Sequence, residues 1–350
     1  MFQKFLNKFS KKIAIDLGTS KTVVSVQDRG IIIQEPSIVA INNRLDRILA
    51  VGEDARKMVG KAPKFITLSR PLENGIISDF EVTEKMLRYF IDKIYREQVG
   101  FAFRPGVVIN IPLDITEVEK KAVEDAVLSA GAGKVHLVEE VMASALGARL
   151  PVQDASGSLI VNLGGGKTEI AVISLNGVVN WKSLKIAGQT FDQDIINYAR
   201  DHFNLLIGER FAEQLKINIG SAFEIESPMQ MEMRGRDLVS GLPRELVISD
   251  YQVRDAISPS INAIIEALKL TLETTPPELV ADIYERGIVL AGGGAKLRGI
   301  DKAISKAAAV PVRIADDPVT CTIRGLNALL EDNKLLEEVE VPSASADRIL

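Results

Sequence analysis

Two short stretches hold the side chains best suited to chemistry. Asp16 leads the run Leu17-Gly18-Thr19-Ser20-Lys21-Thr22, and Asn162 leads Leu163-Gly164-Gly165-Gly166-Lys167-Thr168. At a single offset of 146 residues (162 − 16) they align position by position: Leu17 with Leu163, Gly18 with Gly164, Lys21 with Lys167, Thr22 with Thr168 and Val26 with Val172. Such self-similarity marks an internal repeat. Each copy is a β-rich run, a bend of small residues and a second β-rich run, the pattern of a hairpin. A bend of this kind turns successive backbone N–H groups inward, and that concavity attracts phosphate oxygens. One glycine hairpin is ordinarily only a turn. Two of them, with a carboxylate heading one, suit a polyphosphate and its metal ion, because Mg²⁺ is typically held by one or two carboxylates together with the phosphates.

Three further groups bear on the same chemistry. Glu139-Glu140 follows a short strand over 135–138, and carboxylates at a strand's carboxyl end are where α/β proteins usually keep their reactive groups. Ala212-Glu213-Gln214-Leu215-Lys216-Ile217 lies in a predicted helix over 209–219, where Glu213 and Lys216 share a face and read as a surface ion pair. Gly292-Gly293-Gly294-Ala295 follows a strand over 288–290, and a glycine turn lets backbone pack flat against a planar ring.

The elements that must position these groups are readable from periodicity. The stretch 30–43 continues the first hairpin as strand, and 44–75 reads as a mixed, Gly- and Pro-punctuated insertion. Met86, Leu87, Phe90, Ile91 and Ile94 give 82–95 one buried helical face. A strand over 107–111 precedes Thr116 and Glu119, a capping box opening a helix over 117–130. Further helices are expected over 142–148, 191–203 and 251–274, with a β-rich segment at 234–249.

At 350 residues the chain exceeds a usual single-core domain, so two domains are expected. With 46% hydrophobic and 25% charged residues it reads as an ordinary globular protein. A net charge of −5 and a pI near 5.4 argue against a nucleic-acid partner. A lone cysteine, Cys321, excludes an internal disulfide, and with two histidines makes a zinc site a poor reading. No apolar run approaches the ~18 residues of a membrane span.

Charge is segregated at the ends. Residues 1–12 carry Lys4, Lys8, Lys11 and Lys12 and no acid, whereas 331–350 carry six acids and two bases. Phe2, Phe5, Leu6 and Phe9 fall at i, i+3, i+4 and i+7, one face of a basic helix. Two readings stand: insertion at the headgroup boundary of an anionic membrane, or a terminal helix folded back on its own body. Phe101 and Phe103, in a Gly/Pro-bounded loop, pose the same choice between core and membrane.

Longer strings carry a resemblance. Asp16-Leu-Gly-Thr, Gly164-Gly-Gly and Gly292-Gly-Gly resemble the actin, sugar-kinase and heat-shock-chaperone ATPase superfamily. Glu35-Pro-Ser-Ile-Val-Ala, Asp79-Phe-Glu-Val-Thr-Glu-Lys-Met-Leu-Arg-Tyr-Phe, Thr116-Glu-Val-Glu-Lys-Lys-Ala-Val-Glu-Asp-Ala, Leu205-Leu-Ile-Gly-Glu-Arg and Ala315-Asp-Asp-Pro-Val-Thr-Cys are similar to the bacterial actin family MreB, over roughly 11–326.

The resemblance implies an α/β actin-like fold of two homologous ribonuclease-H-like halves around a nucleotide cleft. The expected divisions are a membrane-binding helix at 1–12, domain I at 13–148 with an insertion at about 33–68, and domain II at 149–330 with an insertion at about 185–250. The chain would return to domain I after about 315 and end in a flexible acidic tail at 331–350. The cofactors implied are ATP and Mg²⁺: Asp16 faces metal and phosphates, with Gly18, Thr19, Ser20 and Lys21 in one phosphate turn. Asn162, Gly164, Gly165, Gly166 and Lys167 form the other. Glu140 orients the attacking water, and Glu213, Gln214, Leu215 and Lys216 line the nucleoside with Gly292, Gly293, Gly294 and Ala295. The implied function is slow ATP hydrolysis coupled to polymerisation into paired filaments on the inner face of the cytoplasmic membrane, with cell-elongation and wall-synthesis proteins as partners. A scaffold that has lost hydrolysis and a small-molecule kinase are the competing readings.

This chain also departs from the family's pattern. Asn162 stands where the family generally has Asp, Lys21 and Lys167 stand at neutral positions, Val141 replaces a proline and Gln189 an acid. An ammonium can neutralise phosphate as a point charge. The expectation is therefore that both lysines take over part of the metal's work, with the alternative that they point to solvent.

Overall fold

The computed structural model describes residues 12–96 and 104–343. The N-terminal stripe of Phe2, Phe5, Leu6 and Phe9 and the loop bearing Phe101 and Phe103 lie outside the described residues. The chain divides into two units: one takes the chain up to Asp154, then Leu175–Gly177, then everything from Thr320, and the other takes Ala155–Ser174 and Val178–Val319.

The first unit opens with an antiparallel meander of β1 (Ile13–Leu17), β2 (Lys21–Val26) and β3 (Gly30–Pro36). Here the single strand expected over 30–43 is corrected. Pro36 has no N–H to give the ladder, so β3 ends there. The chain re-enters as β4 (Val39–Asn42), which with β5 (Arg47–Val51) and β6 (Ile66–Ser69) forms a separate small sheet in the order β5-β4-β6. Ile33–Pro36, expected inside the insertion, thus belong to the main sheet. The two-residue strands β7 (Leu72–Glu73) and β8 (Ile76–Ile77) follow.

In the helix Phe80–Arg96 the residues Met86, Leu87, Phe90, Ile91 and Ile94 are all buried, as their spacing requires. After β9 (Gly106–Ile111), the helix Glu117–Ser129 opens on the capping box: the Thr116 side chain accepts from Glu119 N at 3.3 Å and Glu119 Oε2 accepts from Thr116 N at 2.9 Å. Next come β10 (Lys134–Glu139) and the helix Glu140–Gly147.

The second unit holds β11 (Ser158–Leu163), β12 (Thr168–Ser174), β13 (Gly177–Leu184) and the helix Gly188–Phe203. A small sheet of β14 (Leu205–Leu206), β15 (Gln230–Asp237) and β16 (Pro243–Ser249) follows, with the helix Glu209–Ile219 between its first two strands. The helices Asp250–Glu273 and Pro277–Arg286, then β17 (Ile288–Ala291), the helix Ile300–Ala308 and β18 (Val312–Ile314) complete it. Its main sheet runs β13-β12-β11-β17-β18, the same order as β3-β2-β1-β9-β10, and in each the hairpin pair (β11/β12, β1/β2) is antiparallel and the next two pairings are parallel. The repeat read from two hairpins is therefore a repeat of whole sheets.

From Thr320 the chain rejoins the first unit as the helices Cys321–Glu331 and Asn333–Val339 and the strand β19 (Glu340–Val341). The expected flexible tail is corrected up to this strand. Leu336 and Val339 are buried, β19 pairs antiparallel with β10, and Lys12 Nζ donates to Asn333 Oδ1. The helix Cys321–Glu331 crosses Glu140–Gly147 backbone to backbone: a Cβ on Gly147 would lie 1.8 Å from the Cys321 carbonyl oxygen, and one on Gly325 1.8 Å from that of Ala143.

Candidate functional site

The first turn is braced by three neighbouring segments. Its own closure is Gly18 N donating to the Lys21 carbonyl at 3.2 Å. Ser37, just past the end of β3, donates from Oγ to the Gly18 carbonyl (2.6 Å) and from N to the Ser20 carbonyl (3.2 Å). Asn110 Oδ1 on β9 accepts from Leu17 N at 2.7 Å, and the buried Thr19 hydroxyl accepts from Gly75 N at 2.7 Å. Thr19 is thus tied to the scaffold, while Ser20 and Lys21 are exposed at the tip.

Asp16 is half-buried on β1 and Glu140 is the first residue of its helix. Burial, and then the neighbouring charge of Glu140, push the Asp16 carboxyl well above the ordinary carboxylate range, against a hydrogen bond from Asn110. Glu139, which precedes the helix at the end of β10, is raised by burial as well. A carboxylate enclosed beside a second carboxylate fits a divalent cation, whose charge would relieve the repulsion. Among the described residues no three acidic, histidine or cysteine side chains gather to hold a metal. A cation here would thus draw its remaining ligands from phosphate and water, the usual habit of Mg²⁺.

The second turn repeats the first: Gly164 N donates to the Lys167 carbonyl at 3.0 Å, and Leu163 pairs with Thr168 as Leu17 pairs with Thr22. Its carbonyls are used locally. Gly164 O accepts from Gly188 N (3.3 Å) and Gly165 O from Gln189 N (2.8 Å), so the turn receives the first amides of the helix Gly188–Phe203. Lys216 Nζ then donates to the Gly188 carbonyl at 2.7 Å. Turn, helix and Lys216 form one hydrogen-bonded chain.

Several expectations change at this point. The acid on Lys216 is Asp192, at 2.8 Å, one turn into the neighbouring helix and not its helical neighbour Glu213. Burial pushes Asp192 up to about 6 even though Lys216 works to lower it. Leu215 is fully buried in the apolar core of its unit, so its side chain packs the helix and does not line a ligand; Gln214 on the same helix is exposed. Lys167 donates to Glu169, and both are buried. At the third turn, a Cβ on Gly292 would lie 2.3 Å from the Leu163 carbonyl and 2.7 Å from Asn162 Oδ1, and φ is +82°. Only glycine lets this turn reach β11 so closely. Ala295 is buried beneath it.

Ser37, Gly75, Asn110, Glu169 and Asp192 were not singled out from sequence. Glu169 alone left a local signal, since it stands two residues from Lys167.

A sequence profile of the family described as MreB/Mbl protein matches residues 10–338. The chain belongs to this family. It is 45% identical over 337 residues to the cell shape-determining protein MreB of Pasteurella multocida, covering 95% of this chain and 96% of that one. It is 43% identical over 324 residues to the cell shape-determining protein Mbl of Bacillus subtilis, covering 93% and 97%. The crystal structure of MreB5 of Spiroplasma citri bound to ADP matches with a TM-score of 0.89 at 34% identity, over 94% of this chain and 98% of that one. The fold is therefore the actin-like α/β fold of MreB/Mbl proteins.

Proposed function

We propose that this chain is a nucleotide-dependent cytoskeletal protein of the MreB/Mbl family, which binds ATP with Mg²⁺, polymerises, and acts in cell shape on the inner face of the cytoplasmic membrane alongside wall-synthesis proteins. The observation that carries the reading is the repeated turn, closed by the same glycine-to-lysine hydrogen bond in both units, in a chain whose MreB5 relative was solved with ADP. Asp16 would hold the metal ion, which neutralises phosphate charge. The Gly18–Lys21 and Gly164–Lys167 turns would present backbone N–H groups to phosphates. Glu140, at the mouth of β10, would orient and deprotonate the attacking water. Phosphoryl transfer needs little more from a protein than such positioning and charge stabilisation.

Sedimentation tests the reading. With ATP and Mg²⁺ above a critical concentration the chain should pellet, with phosphate released slowly in step with assembly. A protein that stays monomeric at tens of micromolar with ATP and anionic vesicles would overturn it. Pelleting without phosphate release would point to the hydrolysis-deficient scaffold, which the neutral Asn162 side chain favours.

A further inference from the structure

The equivalence of the two hairpins breaks on one face of the ladder. In β1/β2 the register sets Asp16 opposite Val23; in β11/β12 it sets Asn162 opposite Glu169. Val23 and Glu169 are themselves equivalents at the repeat offset of 146 (169 − 23). The acid on this face is on the other strand in the second copy. Directly opposed residues of an antiparallel pair project from the same side. Asn162 and Glu169 therefore share a face, and Lys167, the last residue of the turn before β12, joins them through its hydrogen bond to Glu169. In this set Lys167 Nζ donates to Glu169 Oε1, with the residues 5% and 0% exposed. The equivalent lysine of the first hairpin, Lys21, is exposed.

Charge at these depths must be compensated close by. The Lys167–Glu169 pair does so internally, and the neutral amide of Asn162 adds nothing to be balanced. The three positions sum to zero, whereas Asp with a neutral residue at 167 would leave two negative charges beside the turn. We infer that the Lys167–Glu169 pair, together with a neutral Asn162, frees the second phosphate turn from dependence on a divalent cation. The ligand class is the phosphate chain of a nucleotide, so the inference rests on the nucleotide-binding reading. The two lysines expected to act alike are thereby separated: Lys167 works as a buried charge balance positioned by Glu169, and Lys21 is the exposed one.

The test is the affinity of the full chain for AMPPNP in excess Mg²⁺ and in EDTA, with folding followed by thermal melts. The ratio of the two dissociation constants should follow the net charge of the set. Lys167→Met and Asn162→Asp, each one unit more negative, should raise the ratio by about tenfold, on the scale of one charge in a partly enclosed site. Lys167→Met/Glu169→Gln, neutral again, should return it to the wild-type value. That rescue is something a merely structural role would not produce. If Lys167→Met fails to fold, Asn162→Asp and the double variant still carry the comparison. A ratio that stays constant across the series, or stays high in the double variant, overturns the inference while leaving nucleotide binding intact. Wild-type protein that binds AMPPNP in neither buffer would remove the nucleotide reading itself.

Discussion

Asp192 is pulled in two directions, and burial wins. Its carboxyl is pushed from an ordinary 3.8 up to about 6 although Lys216 sits 2.8 Å away. Between those values the folded chain keeps a proton that the unfolded chain has already released. Stability should therefore be highest below pH 3.8 as far as this group is concerned, fall as pH rises through the window, and level off above 6. At 1.36 kcal/mol per pKa unit the full effect is at most ~3 kcal/mol. Thermal melts from pH 4 to 7 should show this slope in the wild type and a flatter one in Asp192→Asn; equal slopes would remove Asp192 as its source. The partners of Lys216 and Lys167 also show where sequence reading stops at the residue scale. Helical spacing offered Glu213 to Lys216, but Asp192 reaches it from another helix. Glu169 was visible two residues from Lys167, yet its standing opposite Asn162 depends on a ladder register that no local pattern states.

At the scale of elements, what was legible is what is local. The helix Phe80–Arg96 follows from apolar positions at helical spacing, and the start of Glu117–Ser129 from a reciprocal cap whose two members lie three residues apart. What was missed depends on distant partners: β19 exists because β10 offers it an edge, and an acidic composition hid the buried Leu336 and Val339. The crossing that seats Glu140 is equally non-local. Gly147 looks like an ordinary helix-ending glycine, but a methyl group there would lie 1.8 Å from the Cys321 carbonyl. No rotamer change relieves a clash with backbone, so Gly147→Ala should force the two helices apart. Overpacking of this kind typically costs about 1–3 kcal/mol. A urea midpoint lowered accordingly, with phosphate release slowed because Glu140 moves with its helix, is the expected result; an unchanged midpoint would mean that the crossing yields at no cost.

At the scale of the whole molecule, the proposed membrane attachment would draw on surface residues. No helix among the described residues is long and apolar enough to cross a bilayer, and the chain's net charge of −5 opposes an anionic one. The opposing resource is the first twelve residues, with four lysines, no acid, and Phe2, Phe5, Leu6 and Phe9 at helical spacing. Each phenylalanine would contribute roughly 1.5–3 kcal/mol at most on insertion, and each lysine up to ~1 kcal/mol near anionic lipid. Conformational ordering and overall repulsion take back part of this, so a single chain should bind weakly. A polymer presents many such ends at once, and linked weak sites gain avidity without any new contact. Full-length protein should therefore float with anionic vesicles far better with ATP than without, and less well in high salt. Removing residues 2–10 should release it even when filaments still form by sedimentation. If the truncated chain floats as well as the full one, the N-terminal stripe is not the anchor, and the exchange Phe101→Ser/Phe103→Ser becomes the next variant to measure, since those two side chains are the remaining apolar candidates in a loop.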